Sequence, residues 1–176
     1  MGIFLTGSGF VLRPWVADDV QSLITHANDG DVAANLRDRF PSPYTLADAE
    51  SWVVVANTAP VSQCAITIDD RAVGGIGIDF YSDIHRRGAE LGYWLGKSYW
   101  GKGIMSGVVP VFVRECFKRF DLIRIEAGVF ATNPASAKVL EKSGFRLDGI
   151  RRQAIFKNGL TLDEHLYSML RSDVQI

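Results

Sequence analysis

Phe10-Val11-Leu12-Arg13-Pro14-Trp15 alternates in character and then meets a proline, predicting a short first strand that ends where the ladder loses an N–H. Val20, Leu23, Ile24 and Ala27 recur at helical spacing behind Asp18 and Asp19, either of which can act as N-cap. A second short helix is expected near Val32 to Leu36, and Phe40-Pro41-Ser42-Pro43-Tyr44 breaks the chain after it. Thr45 and Asp48 then form a capping box with Asp in place of Glu, opening a third helix from Leu46 through Trp52 to Ala56.

From Cys64 the period changes. Ala65-Ile66-Thr67-Ile68 and Val73 to Tyr81 read as a hairpin across Asp69-Asp70-Arg71, with Gly74, Gly75 and Gly77 marking a bulge or a close backbone approach. Arg87 to Leu95 is a further β run. Met105, Val108, Val109, Phe112, Val113, Cys116 and Phe117 follow at the spacing of a helix packed on a sheet, with Pro110 inside the stripe predicting a bend. Leu122 to Phe130 reads as a strand. Asn133-Pro134 supplies an N-cap and a first-turn proline for a helix through Ser143, which Gly144 closes. Phe145 to Phe156 and Leu160 to Leu170 form two last strands joined through Asn158-Gly159. The sum is an α+β fold, mostly antiparallel.

With 176 residues the chain has the size of about one domain, and no repeat, low-complexity tract or linker divides residues 1–176. Apolar residues at 47% and charged residues at 22% exclude a disordered chain. A net charge of −1 provides no whole-molecule field toward nucleic acid or anionic lipid, so neither is an expected partner. The longest apolar runs, Val53 to Ala56 and Val108 to Val113, are far shorter than the ~18 to 20 residues that span a bilayer. Met1 to Phe10 lacks the basic and apolar regions of a secretory signal, and two cysteines make no disulfide framework. The expected compartment is the reducing cytoplasm.

The chemistry concentrates in Trp100-Gly101-Lys102-Gly103-Ile104-Met105-Ser106, where a strand hands over to a helix. Glycines there let backbone N–H groups approach an anion, and the donors of the helix N-terminus favour negative charge, so a diphosphate fits. Two rival phosphate patterns fail. Gly96-Lys97-Ser98 ends like a P-loop but has Leu91 where the first glycine is needed, and Gly75-Ile76-Gly77 has Phe80 at the third glycine position of a dinucleotide fingerprint. His26, His85 and His165 have no ligand spacing among themselves or with Cys64 and Cys116, so no metal is predicted. Cys116 on the apolar stripe and Cys64 in a strand read as small buried hydrophobes.

Gly88-Ala89-Glu90-Leu91-Gly92-Tyr93-Trp94-Leu95, Tyr99-Trp100-Gly101-Lys102-Gly103-Ile104-Met105, Arg124-Ile125-Glu126-Ala127, Asn133, Ser136 and Val139 to Phe145 together resemble the GNAT acetyltransferase superfamily. The Tyr-Trp-Gly-Lys-Gly form and the late hairpin are similar to the branch containing the ribosomal-protein N-terminal acetyltransferases. The resemblance implies a single GNAT domain with a mixed, mostly antiparallel sheet of about seven strands flanked by helices. It also implies an acetyl-CoA site: the diphosphate on Gly101, Lys102, Gly103, Ile104, Met105 and Ser106, with Trp100 beside it. The pantetheine arm would add like a strand along Tyr93, Trp94 and Leu95, with Asn133 on its other side. Trp100 and Met105 depart from the broad family pattern, and both leave the backbone donors intact.

Acetyl transfer to an amine needs a neutral nucleophile, a stabilised oxyanion and a proton for the leaving thiolate. By resemblance the oxyanion donor is the backbone N–H at Tyr93 and the acid is Ser136, because Leu140 stands where many members carry a tyrosine. The branch's glutamate after a Gln-Ala pair is missing, since Ile155 follows Gln153-Ala154. Glu90, then Glu126, are the remaining bases. The expected activity is direct transfer from acetyl-CoA to a primary amine, a peptide N-terminus or a small-molecule α-amine, without metal and without an acyl-cysteine. The rival is a CoA-binding or protein-interaction module of the same fold that has lost turnover. Dimerisation through a sheet edge or the late hairpin is compatible with such folds.

Overall fold

A computed structural model describes residues 3–58 and 62–175. Among them eight strands form one sheet in the order β1-β2-β3-β4-β5-β6-β8-β7; β1–β2, β2–β3, β3–β4, β6–β8 and β7–β8 pair antiparallel, and β5 runs parallel to β6. The strands are β1 (Leu5–Gly7), β2 (Phe10–Arg13), β3 (Gln63–Ile68), β4 (Arg71–Phe80), β5 (Gly88–Leu95), β6 (Arg124–Phe130), β7 (Arg146–Lys157) and β8 (Leu160–Leu170). The helices are α1 (Val20–Ala27), α2 (Gly30–Ala33), α3 (Leu46–Thr58), α4 (Ile104–Arg119) and α5 (Pro134–Lys142). None is long and apolar enough to cross a membrane. The chain packs as two compact units, one of the described residues up to Gly77 with Tyr93–Ile104, the other of Ile78–Gly92 with those from Met105 onward.

In the first unit, β1 is the strand beyond the expected seven. At three residues it is too short to show alternation, and it exists because Gly9, at φ +80°, turns the chain so that Leu5 pairs with Leu12. The anticipated aspartate cap on α1 is also corrected. Asp19 makes no side-chain cap, because its carboxylate takes two 2.7 Å hydrogen bonds from the Arg13 guanidinium and a third from the Val16 N–H. Helix α2 starts two residues earlier than expected, with Asp29 accepting from the Asp31 N–H. The Thr45–Asp48 box is present in both directions at the start of α3. Trp15, Leu23, Ala27, Tyr44, Ala49 and Val53 form the centre of this unit's core. Asp69 and Asp70, at φ +49° and +62°, turn the β3–β4 hairpin.

In the second unit, every residue of the predicted α4 stripe is buried and the helix continues through Pro110. Leu122, Ile125, Leu140, Phe145 and Tyr167 are among the other buried residues of this unit. Asn133 caps α5 with Pro134 in its first turn, and Gly144, at φ +93°, ends it. Asn158 and Gly159, at φ +49° and +79°, make the two-residue turn of the β7–β8 hairpin, the geometry Asn-Gly favours. Strand β7 lies almost wholly exposed at the end of the sheet, and its register shifts between Leu147 and Gly149 and between Arg151 and Ile155.

Candidate active site

The phosphate-type turn is built from the end of β5 onward. Gly74 carries no side chain because a Cβ there would lie 2.4 Å from the Trp94 carbonyl oxygen, and the Gly96 N–H donates to Val73 O at 2.8 Å. Gly75, one of the rejected nucleotide-motif glycines, meets the Trp94 ring in the same way, so these glycines serve close strand packing. After a single helical turn at Lys97–Tyr99, Trp100 is extended and its indole N–H donates to Leu95 O at 2.6 Å. Gly101 and Gly103 follow at φ +72° and +76° with nothing within 4 Å of a notional Cβ, and Ile104 starts a helix of 16 residues. Left-handed glycines on an open face, followed by unpaired first-turn N–H groups, are the makings of an anion cradle. Lys102 is exposed there, its ammonium 5.4 Å from the Tyr99 ring. His26 packs edge-on to the Tyr99 ring and beside Gly96, and burial lowers its pKa.

The expected site residues divide between the units. Tyr93, Trp94, Leu95, Trp100, Gly101, Lys102, Gly103 and Ile104 belong to the first, and Glu90, Met105, Ser106, Asn133 and Ser136 to the second. Tyr93 and Trp94 are half-buried, with the Trp94 ring 5.6 Å from Phe40. Met105 is buried on the α4 stripe, whereas Ser106 is half-buried. Asn133 and Ser136 are brought together directly, Asn133 Oδ1 accepting the Ser136 N–H at 3.1 Å. Leu140, at the position of the family's tyrosine, is fully buried. Ile155 lies at the edge of the second β7 irregularity, where Gln153 adopts φ +53° and donates its N–H to Asp163 Oδ1.

The β5–β6 ladder consists of Gly88↔Arg124, Ala89↔Ile125 and Glu90↔Glu126. Register partners share a face of the sheet, so Glu90 and Glu126 stand side by side at its last rung. Glu126 is the anchor of a network that sequence reasoning did not find. Its Oε2 accepts from the Tyr81 hydroxyl at 3.2 Å, and its Oε1 from Arg124, which also pairs with Asp148. Burial opposes the Arg124 charge, but Glu126 and Asp148 outweigh it and raise its pKa. Burial likewise pushes the Asp148 carboxyl upward, and the donors Arg124 and Ser168 hold it below the usual range. Glu164, nine-tenths buried, pairs with Arg151 at 2.6 Å and presses on Gly128. No signal in one sequence marks these partners, because Tyr81, Arg124 and Asp148 meet only through strand register and a bulge.

The family model for the acetyltransferase (GNAT) domain matches residues 10–146, and the chain belongs to that family. Among curated relatives, the probable N-acetyltransferase YjcK of Bacillus subtilis is 38% identical over 60% of this chain and 58% of its own length. The ribosomal-protein-serine acetyltransferase of Escherichia coli is 30% identical over 58% of this chain and 56% of its own length. The chain thus spans little more than half the length of these relatives. RimJ from Mycobacterium smegmatis, solved in complex with a CoA disulfide, has the same fold: TM-score 0.83 at 23% identity, over 98% of this chain and 88% of that one. The likeness to the ribosomal-protein branch rests on relatives such as these.

Proposed function

We propose that the protein is an acetyl-CoA-dependent N-acetyltransferase acting on a primary amine, with a peptide N-terminus or a small-molecule α-amine as acceptor. The observation that carries this reading is the open pair of left-handed glycines, Gly101 and Gly103, running into the N-terminus of α4 within a chain of the GNAT family. The family match takes in parts of both compact units, which supports their working as one domain. In this reading residues 101–106 and Trp100 hold the diphosphate, and Tyr93 to Leu95 and Asn133 the pantetheine arm. The amine nitrogen attacks the thioester carbonyl, whose oxyanion the Tyr93 N–H stabilises; the C–S bond breaks, Ser136 protonates the thiolate and Glu90 takes the proton from nitrogen. The Asn133–Ser136 contact supports this role by fixing where the Ser136 backbone sits. The name of the Escherichia coli relative, a ribosomal-protein-serine acetyltransferase, supports a protein acceptor and with it a cytoplasmic setting.

Gly103→Glu tests the cradle. It puts a carboxylate, and a strained φ, where the diphosphate would lie, without touching any core atom. CoA binding measured by calorimetry is expected to fall at least about 100-fold, the order of one or two lost charge-assisted contacts, while the melting temperature drops only by the few degrees (~2–8 °C) that one strained residue costs. A folded variant that binds CoA like wild type overturns the reading. Wild-type CoA binding without thiol release over a panel of amines and peptides would favour the turnover-free module instead.

A further inference from the structure

Within the first unit, His26 of α1, Asp31 of α2 and Lys102 of the glycine turn all meet the short turn that precedes Gly101. That turn is closed by the Tyr99 N–H on Gly96 O at 2.9 Å and the Trp100 N–H on Lys97 O at 3.1 Å. The Tyr99 side chain is half-buried. Its ring meets the His26 imidazole edge-on, with centroids 5.4 Å apart and planes at 78°, an arrangement that aromatic quadrupoles favour. The Lys102 ammonium stands 5.4 Å from the centroid of the same ring, within cation–π range. Gly96 lets α1 come this close: a Cβ there would lie 2.9 Å from His26 Cβ and 3.0 Å from its Nδ1. The ring that Lys102 meets is therefore held by the backbone of its own turn and by a side chain of α1.

The two cations of this segment are used differently. Residues 93–104 contain Lys97 and Lys102 and no carboxylate. Lys97 is committed to Asp31 in an ion pair. Lys102 pairs with no carboxylate among the described residues, and its ammonium has the Tyr99 ring instead. A ring quadrupole attracts a cation without neutralising it, so this ammonium keeps its full charge for an incoming anion. A lysine chain left free would have to be ordered at the moment of binding, which weakens affinity roughly two- to tenfold; a chain ordered beforehand avoids that loss.

We propose that Tyr99 is a positioning residue for Lys102, holding its ammonium beside Gly101 and Gly103 for a diphosphate, and that His26 in turn holds the Tyr99 ring. That the diphosphate belongs to CoA rests on the acetyltransferase reading above; the ordered and uncompensated cation stands on the residues of the turn. In ¹H–¹³C spectra of the full chain at about pH 7.5, where His26 is neutral, the Lys102 ε-protons are expected upfield of those of the other lysines through the Tyr99 ring current. Their loss in Lys102→Met assigns them. Tyr99→Leu should return them to the ordinary lysine position, and His26→Ala should carry them part of the way. By calorimetry with CoA, Tyr99→Leu should bind about two- to tenfold more weakly, and Tyr99→Phe, which keeps the ring, within about twofold of wild type. Tyr99→Leu combined with Lys102→Met should bind no more weakly than Lys102→Met alone, whereas a general loosening of the turn would make the two losses add. Additive losses, undiminished affinity in Tyr99→Leu, or an unshifted Lys102 signal in the wild type would overturn the proposal. If Tyr99→Leu fails to fold, the wild-type spectrum and its change in His26→Ala still decide. The same cycle read with inorganic pyrophosphate separates the two readings. Non-additive pyrophosphate binding without CoA binding sinks the acetyl-CoA reading alone, CoA binding with additive losses sinks the positioning alone, and no response to either probe sinks both.

Discussion

Ser136 occupies the first turn of α5, and its backbone N–H, not its hydroxyl, is the group that Asn133 caps. Ser136→Ala therefore keeps the cap and removes only the hydroxyl. If that hydroxyl protonates the departing thiolate, kcat should drop by roughly 10²-fold while CoA affinity and acceptor KM change little. Unchanged turnover with weakened CoA binding would instead make Ser136 a cofactor contact. The pairing of Arg13 with Asp19 shows the same lesson at a structural residue. An aspartate immediately before a helix start looks like a cap, but a guanidinium on the preceding strand offers two charge-assisted hydrogen bonds, which outcompete one backbone donor.

Among the elements, β4 and the end of β5 are held at a separation that only glycine permits. Gly74→Ala would force a methyl group to within 2.4 Å of the Trp94 carbonyl oxygen, a backbone atom that cannot swing away. Overpacking of that kind costs about 1–3 kcal/mol. Gly92, on the same strand β5, has nothing within 4 Å of its notional Cβ, so Gly92→Ala should lie within about 0.5 kcal/mol of wild type or slightly above it. Urea unfolding of the two variants measures the contrast, and equal stabilities would show that the strands are not packed as described. Strand β7 behaves differently. Almost all of it is exposed and it contains two irregularities, so the Asn158-Gly159 turn located the strand to within about a residue while nothing local placed its bulges.

At the level of the whole molecule, the proposed acetyl transfer and the expected loss of the branch's glutamate together predict which amine is preferred. An α-amine with pKa near ~8 is roughly one-tenth neutral at pH 7, whereas a lysine near ~10.4 is less than about one-thousandth neutral. That difference amounts to roughly 3 kcal/mol, which a lysine-directed enzyme must recover through a strong base or a desolvating pocket. By resemblance Ile155 stands where the branch carries its carboxylate, and Glu126 is engaged by Arg124 and Tyr81. Matched peptides with either amine blocked should therefore show a higher kcat/KM for the α-amine. A clear advantage for the lysine amine would refute this.

The amino-acid sequence by itself determined the order and kind of nearly every element, because long periodic stripes such as that of α4 and strong turn pairs such as Asn158-Gly159 are local signals whose physics needs only near neighbours. It also located the glycine turn, since left-handed backbone and helix N-termini are properties of a few consecutive residues. What only the tertiary structure decided is which side chains meet. Strand β1 exists through its pairing with β2, Asp19 left its cap for Arg13, and Tyr81 from just beyond β4 and Asp148 from the β7 bulge converge on Arg124 and Glu126 of β6. Such contacts depend on strand register and sheet order, which are set by the packing of distant segments.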